Sequence, residues 1–480
     1  MKENQNKQNS AWYQKFDKSS KPSKEKKDKV KERFVSTAEG TTVIGRLTPK
    51  ELEKLKKTGR LSKKELEKLN NKQRNNDFSQ ENLHNELNAK FISSTSMFNQ
   101  KKLPKDAINI LDNFDNIIQG IRPLNTKQLA KLPKTIRNLS HQLTDERDRR
   151  HLGYMNNTEE LSAYVRYFTW WNLVRLTRLF ANMDAKDFHL NDNDYCLDLG
   201  SGPLTVVIAL WLARPELREK KLTWYCVDIS QGALALGEDL YLSIAAKTPP
   251  KNESAEPNWN IIRVKGELGV SIKNKVSFIT CANMFNELNQ KTQSPTDILA
   301  KNHINSVLSY TTEKTSIFIA EPGIPSSAHF VSRVRDELIS KEFNITAPCP
   351  HFEKCPMHGK NAKLGGHTKW CNFAFTTEKA PNRLLKLSND SGIPKERAVL
   401  SFVFANNFEK PTSTDKLRVA SDSFWLPGNL SGFYACNSKG LILLVNKSKN
   451  NIQSGDLIDF ELTQTKIYQD SKSNAKKIIM

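Results

Sequence analysis

The chain has 480 residues and a mass of 54.7 kDa, which is long for one core, so two or three domains are expected. Hydrophobic residues make up 38%, enough for sizeable cores, yet no stretch approaches the roughly 18 to 20 apolar residues of a membrane span or the apolar run of a signal peptide. These features read as a soluble, cytoplasmic chain with no membrane partner, and a formal charge of +21 with a pI near 9.5 makes a polyanion, nucleic acid first, the expected partner.

The first 50 residues hold 13 Lys plus Arg against 6 Asp plus Glu, a net of +7. Residues 1–45 are poor in aliphatic side chains and read as a disordered basic arm, serving either RNA contact or solubility. Next comes a repeat of 14 residues, LTPKELEKLKKTGR (47–60) and LSKKELEKLNNKQR (61–74). Each copy opens with a capping box, Thr48 with Glu51 and Ser62 with Glu65, which predicts two short helices with Gly59 at the break. Residues 75–150 read as helical and polar. A helix over 157–184, capped by Thr158 and apolar around most of its circumference, should be buried on several sides.

From about residue 190 short apolar runs alternate with helical stretches (YCLDLG, LTWYCVDI, VSFITCAN, SIFIAEPG), the pattern of an α/β domain with a parallel sheet. YCLDLGSGPLTVVIALWLA (195–213) reads as a buried strand, a tight turn at Gly200 and Gly202, and a helix. The next strand ends at Asp228, placed to accept hydrogen bonds from a ribose diol. Thr205 stands where a dinucleotide site would carry its third glycine, which favours S-adenosylmethionine over a nicotinamide or flavin. Two more strands end at Asn283 and at Glu321, Pro322 and Gly323, over the same pocket. Asn283 is a candidate clamp for a target amine or a simple strand-end cap, and the two prolines that usually follow such a clamp are absent.

Three of the seven cysteines fall in PCPHFEKCPMHGKNAKLGGHTKWC (348–371). Clustered thiols in a reducing compartment suggest metal. The spacing of Cys349, Cys355 and Cys371 lacks the Cys-x2-Cys knuckle of zinc ribbons and suits an iron–sulfur cluster, with Cys436 the one further cysteine towards the C-terminus. His351, His358 and His367 keep zinc open, and unliganded thiols are the remaining reading. Cys196, Cys226 and Cys281 lie in core strands and read as small hydrophobes.

LDLGSGPLT, EPG at 321–323, CPHFEKCP followed by WCNFAF, and FYACNSKGLILLVNKSKNNIQSGD together resemble the methyltransferase-like proteins of small-ribosomal-subunit assembly found in mitochondria and bacteria, over roughly residues 150–460. The resemblance implies a class I SAM-methyltransferase-like, Rossmann-like α/β domain with a cysteine-rich metal-binding insertion, a helical N-terminal region and a small β-rich C-terminal region. It implies a [4Fe–4S] cluster on Cys349, Cys355, Cys371 and Cys436, cofactor contact at Asp198, Gly200, Gly202 and Asp228, and binding to small-subunit rRNA during assembly, as a monomer off the ribosome. Two departures stand out. Leu204 replaces a second glycine after the proline, which should crowd the cofactor, and the basic repeat has no counterpart.

The expected division is a disordered arm (1–45), a helical region with the repeat (46–150), the methyltransferase-like domain (151–340), the cluster-binding segment (341–400) and the β-rich region (401–480). The expected function is rRNA binding in small-subunit assembly and translation, on a methyltransferase-like scaffold. The alternatives are a SAM-dependent rRNA methyltransferase acting through Asn283, with S-adenosylmethionine as its cofactor, and a redox role for the cluster.

Overall fold

The computed structural model describes residues 34–37, 40–43, 87–144, 153–363, 366–410, 413–464 and 468–480. The 14-residue repeat lies outside them. The chain falls into two units by its contacts, Met1–Glu86 with Pro427–Asn429, and the remainder. In the first unit Phe34–Thr37 pairs with Gly40–Val43 as an antiparallel ribbon, so this part of the arm read as disordered is a hairpin.

The second unit is built on an eight-stranded sheet of β1 (Tyr195–Leu199), β2 (Thr223–Asp228), β3 (Asn260–Lys265), β4 (Val276–Ala282), β5 (Thr311–Pro322), β6 (Asn344–Ala347), β7 (Phe373–Thr376) and β8 (Arg397–Asn406). The order is β7-β8-β5-β4-β1-β2-β3, with β6 also on β8. Strands β1 to β5 are mutually parallel, and β8 runs against β5. Alternation explains the layers: Phe278, Phe318 and Phe404 point to one face, while Ile279, Ile317, Ile319 and Val403 point to the other. Both faces are covered, which is why these strands read as continuous apolar runs. On the first face lies α1 (Thr205–Ala213), whose nine residues are all buried; α2 (Gln231–Ala245) also packs on this side. The second face carries α3 (Thr296–Leu308) and α4 (Pro325–Ser340).

Three expectations are corrected. The predicted helix over 157–184 is two helices, Thr158–Tyr164 and Trp170–Phe180, joined by a π-helical turn at Val165–Thr169, and its cap is Asn157, whose side chain accepts from the Glu159 and Glu160 amides. Within the stretch read as helical, Ala89–Thr95 is a strand paired with Leu457–Leu462, at the edge of a second sheet formed otherwise from strands after residue 416. Strands β6, β7 and β8 belong to the main sheet, so the α/β domain runs past the expected boundaries at 340 and 400.

β6 and β7 lie end to end along β8. Ala347 faces Phe404, and Phe373 faces Leu400. Residues 348–372 therefore leave and re-enter one edge position of the sheet, which is how the cysteine-bearing stretch comes to sit beside the carboxyl end of β5.

Candidate functional site

The turn after β1 is left-handed at Gly200 (φ 64°), Gly202 (φ 51°) and Leu204 (φ 55°). Its exposed amides need acceptors, and the two acids expected to face a cofactor supply or support them. Asp228 accepts from the Gly202 amide at 2.9 Å and the Ser230 amide at 2.8 Å. Asp198 is wholly buried and accepts from Ser201 Oγ at 2.6 Å and Thr280 Oγ1 at 2.7 Å. Burial pushes the Asp198 carboxyl up to about 7 against those two hydroxyls, and it raises Asp228 as well. Asp198 braces the turn from beneath, and Asp228 ties it to the end of β2.

Leu204 does not crowd the cleft. Its side chain is buried, with Cδ1 2.7 Å from where a Cβ on Gly237 of α2 would stand. A left-handed leucine costs about 1–2 kcal/mol, offset by this burial. The two glycines are instead covered by methionines. A Cβ on Gly200 would meet Cβ, Cγ and Sδ of Met284 at 2.8, 2.8 and 2.9 Å, and Met155 Sδ and Cε lie 3.8 Å from the same point on Gly202.

Met284 follows β4 through Asn283, which is left-handed (φ 59°) and donates its amide to Ala320 O at 2.8 Å. The carboxylate of Glu321, 1% exposed, accepts from the Phe285 amide (2.9 Å), the Asn286 amide (3.2 Å) and Asn286 Nδ2 (2.8 Å). Burial raises it to about 7 against these donors. Asn283 lines a small cleft, with room for about one water, together with Glu321, Leu400 and Arg175. Sequence reasoning placed Asn283 and Glu321 at this mouth but missed Arg175, which binds Val399 O at 2.6 Å and the Asn172 side chain.

The four candidate ligand cysteines come from two places in the fold. Cys349, Cys355 and Cys371 are on the 348–372 excursion, and Cys436 is on the strand Leu430–Asn437, cross-strand from Arg418. Burial and the neighbouring thiols act together: Cys355 is pushed up to about 12 by burial and by Cys349, and Cys371 and Cys436 are raised by burial and by other members of the set. Cys196, Cys226 and Cys281 are buried in β1, β2 and β4, as expected of core hydrophobes.

Two arginines, missed from sequence, face these thiols. Arg335 of α4 is 2% exposed; its Nε donates to Cys349 Sγ at 3.2 Å, and Nη2 donates to His351 O at 2.7 Å and Glu353 O at 2.9 Å. Its carboxylate partner Asp336 is shared with Arg333. Burial opposes the charge of Arg335, but Cys349, Cys355 and Asp336 together raise the group. Arg418 donates to Pro348 O at 2.7 Å and Gly455 O at 2.6 Å; burial pulls it down to about 10 against Cys436 and Cys349. The imidazole of His351 is 1% exposed, and among the described residues its Nδ1 has no partner. His358 Nδ1 accepts from the Lys360 amide, and His367 bonds Lys472 O. The excursion is tied to the strand end by Trp370 Nε1 on Gly323 O at 3.3 Å and by Ser401 Oγ on Cys371 O at 2.7 Å.

Among the described residues no three or more His, Cys, Asp or Glu side chains stand close enough to hold one metal ion. A zinc ion needs its thiolates roughly 2.3 Å from one centre. A four-iron cluster reaches ligands set farther apart, and its ligands are thiolates.

The sheet, with its switch point between β1 and β4 and an antiparallel strand beside β5, together with a glycine turn after β1, defines a class I methyltransferase-like α/β protein. Residues 178–424, just over half of the chain, match the sequence profile of the mitochondrial small ribosomal subunit Rsm22 family, and the chain belongs to that family. Among curated proteins none matches it. Similar solved structures include a SAM-dependent methyltransferase from Geobacter sulfurreducens in complex with S-adenosyl-L-homocysteine (11% identity, 49% of this chain and 89% of that one, TM-score 0.26). A second, also in complex with S-adenosyl-L-homocysteine, is from Thiobacillus denitrificans (10%, 49% and 89%, 0.26), and a third is a precorrin methyltransferase from Geobacter metallireducens (11%, 46% and 83%, 0.26).

Proposed function

We propose that this is a cytoplasmic iron–sulfur protein that binds small-subunit rRNA and acts in small-subunit assembly and translation, using a methyltransferase-like domain mainly as a scaffold. The observation that carries the reading is the meeting of Cys349, Cys355, Cys371 and Cys436 with buried Arg335 and Arg418, within a chain of a small-ribosomal-subunit family. The four cysteines would hold a [4Fe–4S] cluster. Its chemistry there is structural: it would cross-link the 348–372 excursion to the strand that carries Cys436, so its binding energy is folding energy for that region. Cys349 keeps its hydrogen bond from Arg335, and the two guanidinium charges offset thiolate charge that burial alone would forbid.

S-adenosylmethionine is the ligand proposed for the turn at Gly200 and Gly202, with a methyl-transfer role as the second reading, favoured by the cleft at Asn283. The scaffold reading stands first because Met284 and Phe285 follow Asn283 where an amine clamp usually carries two prolines. Binding to rRNA rests on the charge of +21. The expected result is co-sedimentation of the purified protein with small subunits, as one copy per particle, with affinity falling at least about tenfold between 50 and 200 mM salt as phosphate contacts are screened. Failure to co-sediment at low salt, or an affinity indifferent to salt, would remove the rRNA-binding proposal.

A further inference from the structure

We infer that Met284 is a gate on the cofactor cleft, seated where a ligand would lie against the glycine turn and displaced when one enters. This rests on reading the turn after β1 as the S-adenosylmethionine site. Glycines are placed in such turns so that a ligand can approach backbone where a Cβ would clash. Here the close approach at Gly200 is made by the chain itself. Three atoms of the Met284 side chain stand 2.8 to 2.9 Å from the point a Cβ would occupy.

Met284 packs on the edge of the core that covers the second face of the sheet. Met284 is only partly buried, whereas the neighbouring Phe285 is wholly buried and supplies the anchor of this turn. Asn283 is held left-handed to aim Met284 back over the turn, an arrangement that needs support from elsewhere. Glu321 provides it, with three hydrogen bonds to Phe285 and Asn286, and Asn286 Nδ2 closes the loop by donating to Asn283 O at 2.8 Å. The latch is therefore buried and rigid. The plug is an unbranched thioether with three rotatable bonds, able to swing out without disturbing the latch. Met155 Sδ and Cε lie 3.8 Å from where a Cβ on Gly202 would stand, and the Met155 carbonyl accepts from Ser230 Oγ at 3.3 Å, so this side of the turn faces a segment fixed to the end of β2.

The test is isothermal titration of S-adenosylhomocysteine into the full-length wild-type protein, Met284→Ala and Met284→Leu. Alanine removes the plug beyond Cβ and should tighten binding at least tenfold, which is about 1.4 kcal/mol. Leucine refills the same space and should stay within a few-fold of wild type, an outcome that a general loosening of the loop would not produce. If Met284→Ala does not fold, Met284→Gly, which removes every side-chain atom facing Gly200, takes its place. Binding by wild type with no gain in the shortened variant overturns the gate and leaves the cofactor site standing. No binding by any of the three folded proteins overturns the cofactor site, and the gate with it.

Discussion

Cys436→Ser protein is expected to emerge from anaerobic purification without the iron of the wild type and without absorbance near 400 nm. The substitution is nearly isosteric and sits in a strand, between Ala435 and Asn437, whose ladder partners are unchanged. If Cys436 were only a buried thiol, the loss would be a small stability penalty of about 1–3 kcal/mol for an unsatisfied hydroxyl. As a cluster ligand it joins the excursion to a strand that begins 58 residues after residue 372. Its loss should cost several kcal/mol of folding energy in that region and open residues 348–372 to proteolysis. Cys281→Ser, at an equally buried thiol in β4, is the control and should keep its iron. Full iron content in Cys436→Ser would remove it from the ligand set.

Arg335→Met gives the second large effect, and there the size is informative. Replacing a buried charged partner by an apolar side chain of similar length is neutral or stabilising when the group it faced is uncharged, whereas removing one member of a buried ion pair costs about 3–5 kcal/mol. Arg335 is 2% exposed and hydrogen-bonded to Cys349 Sγ. With thiolates on a cluster, Arg335→Met should lose about 3–5 kcal/mol in chemical denaturation and release iron faster. With neutral thiols the loss should be smaller, set by the Asp336 ion pair and by the carbonyls of His351 and Glu353 that lose their donor, and iron content should not depend on the substitution.

The parallel strands were legible because strands buried on both faces leave uninterrupted apolar runs, and the glycine turn because its backbone tolerates little else. The strand at Ala89–Thr95 was hidden: AKFISST has only its first residue fully buried, and its pairing with Leu457–Leu462 is a contact across most of the chain that no local pattern carries. Asn157 and Thr158 are both good caps, and only the backbone decides between them. At the site, residue type gave position but not orientation. Asp198 and Asp228 stand at the ends of β1 and β2 as expected, and the structure adds that their carboxylates accept from hydroxyls and amides around the turn.

Arg335 was passed over because HFVSRVRDELIS looks like a helix with a charged face. A usable signal was present, since Arg335 lies four residues after Val331 and three before Leu338 and so shares their buried stripe. Arg418, between buried Leu417 and Val419, alternates to the opposite face, towards Cys436.

The cluster is the centre of this account, and metal analysis of the full-length protein tests it most directly. Protein purified without oxygen should carry about four iron and four sulfide per chain, with a broad band near 400 nm and little zinc. Stoichiometric zinc without iron, or four free thiols and no metal in folded protein, would contradict it.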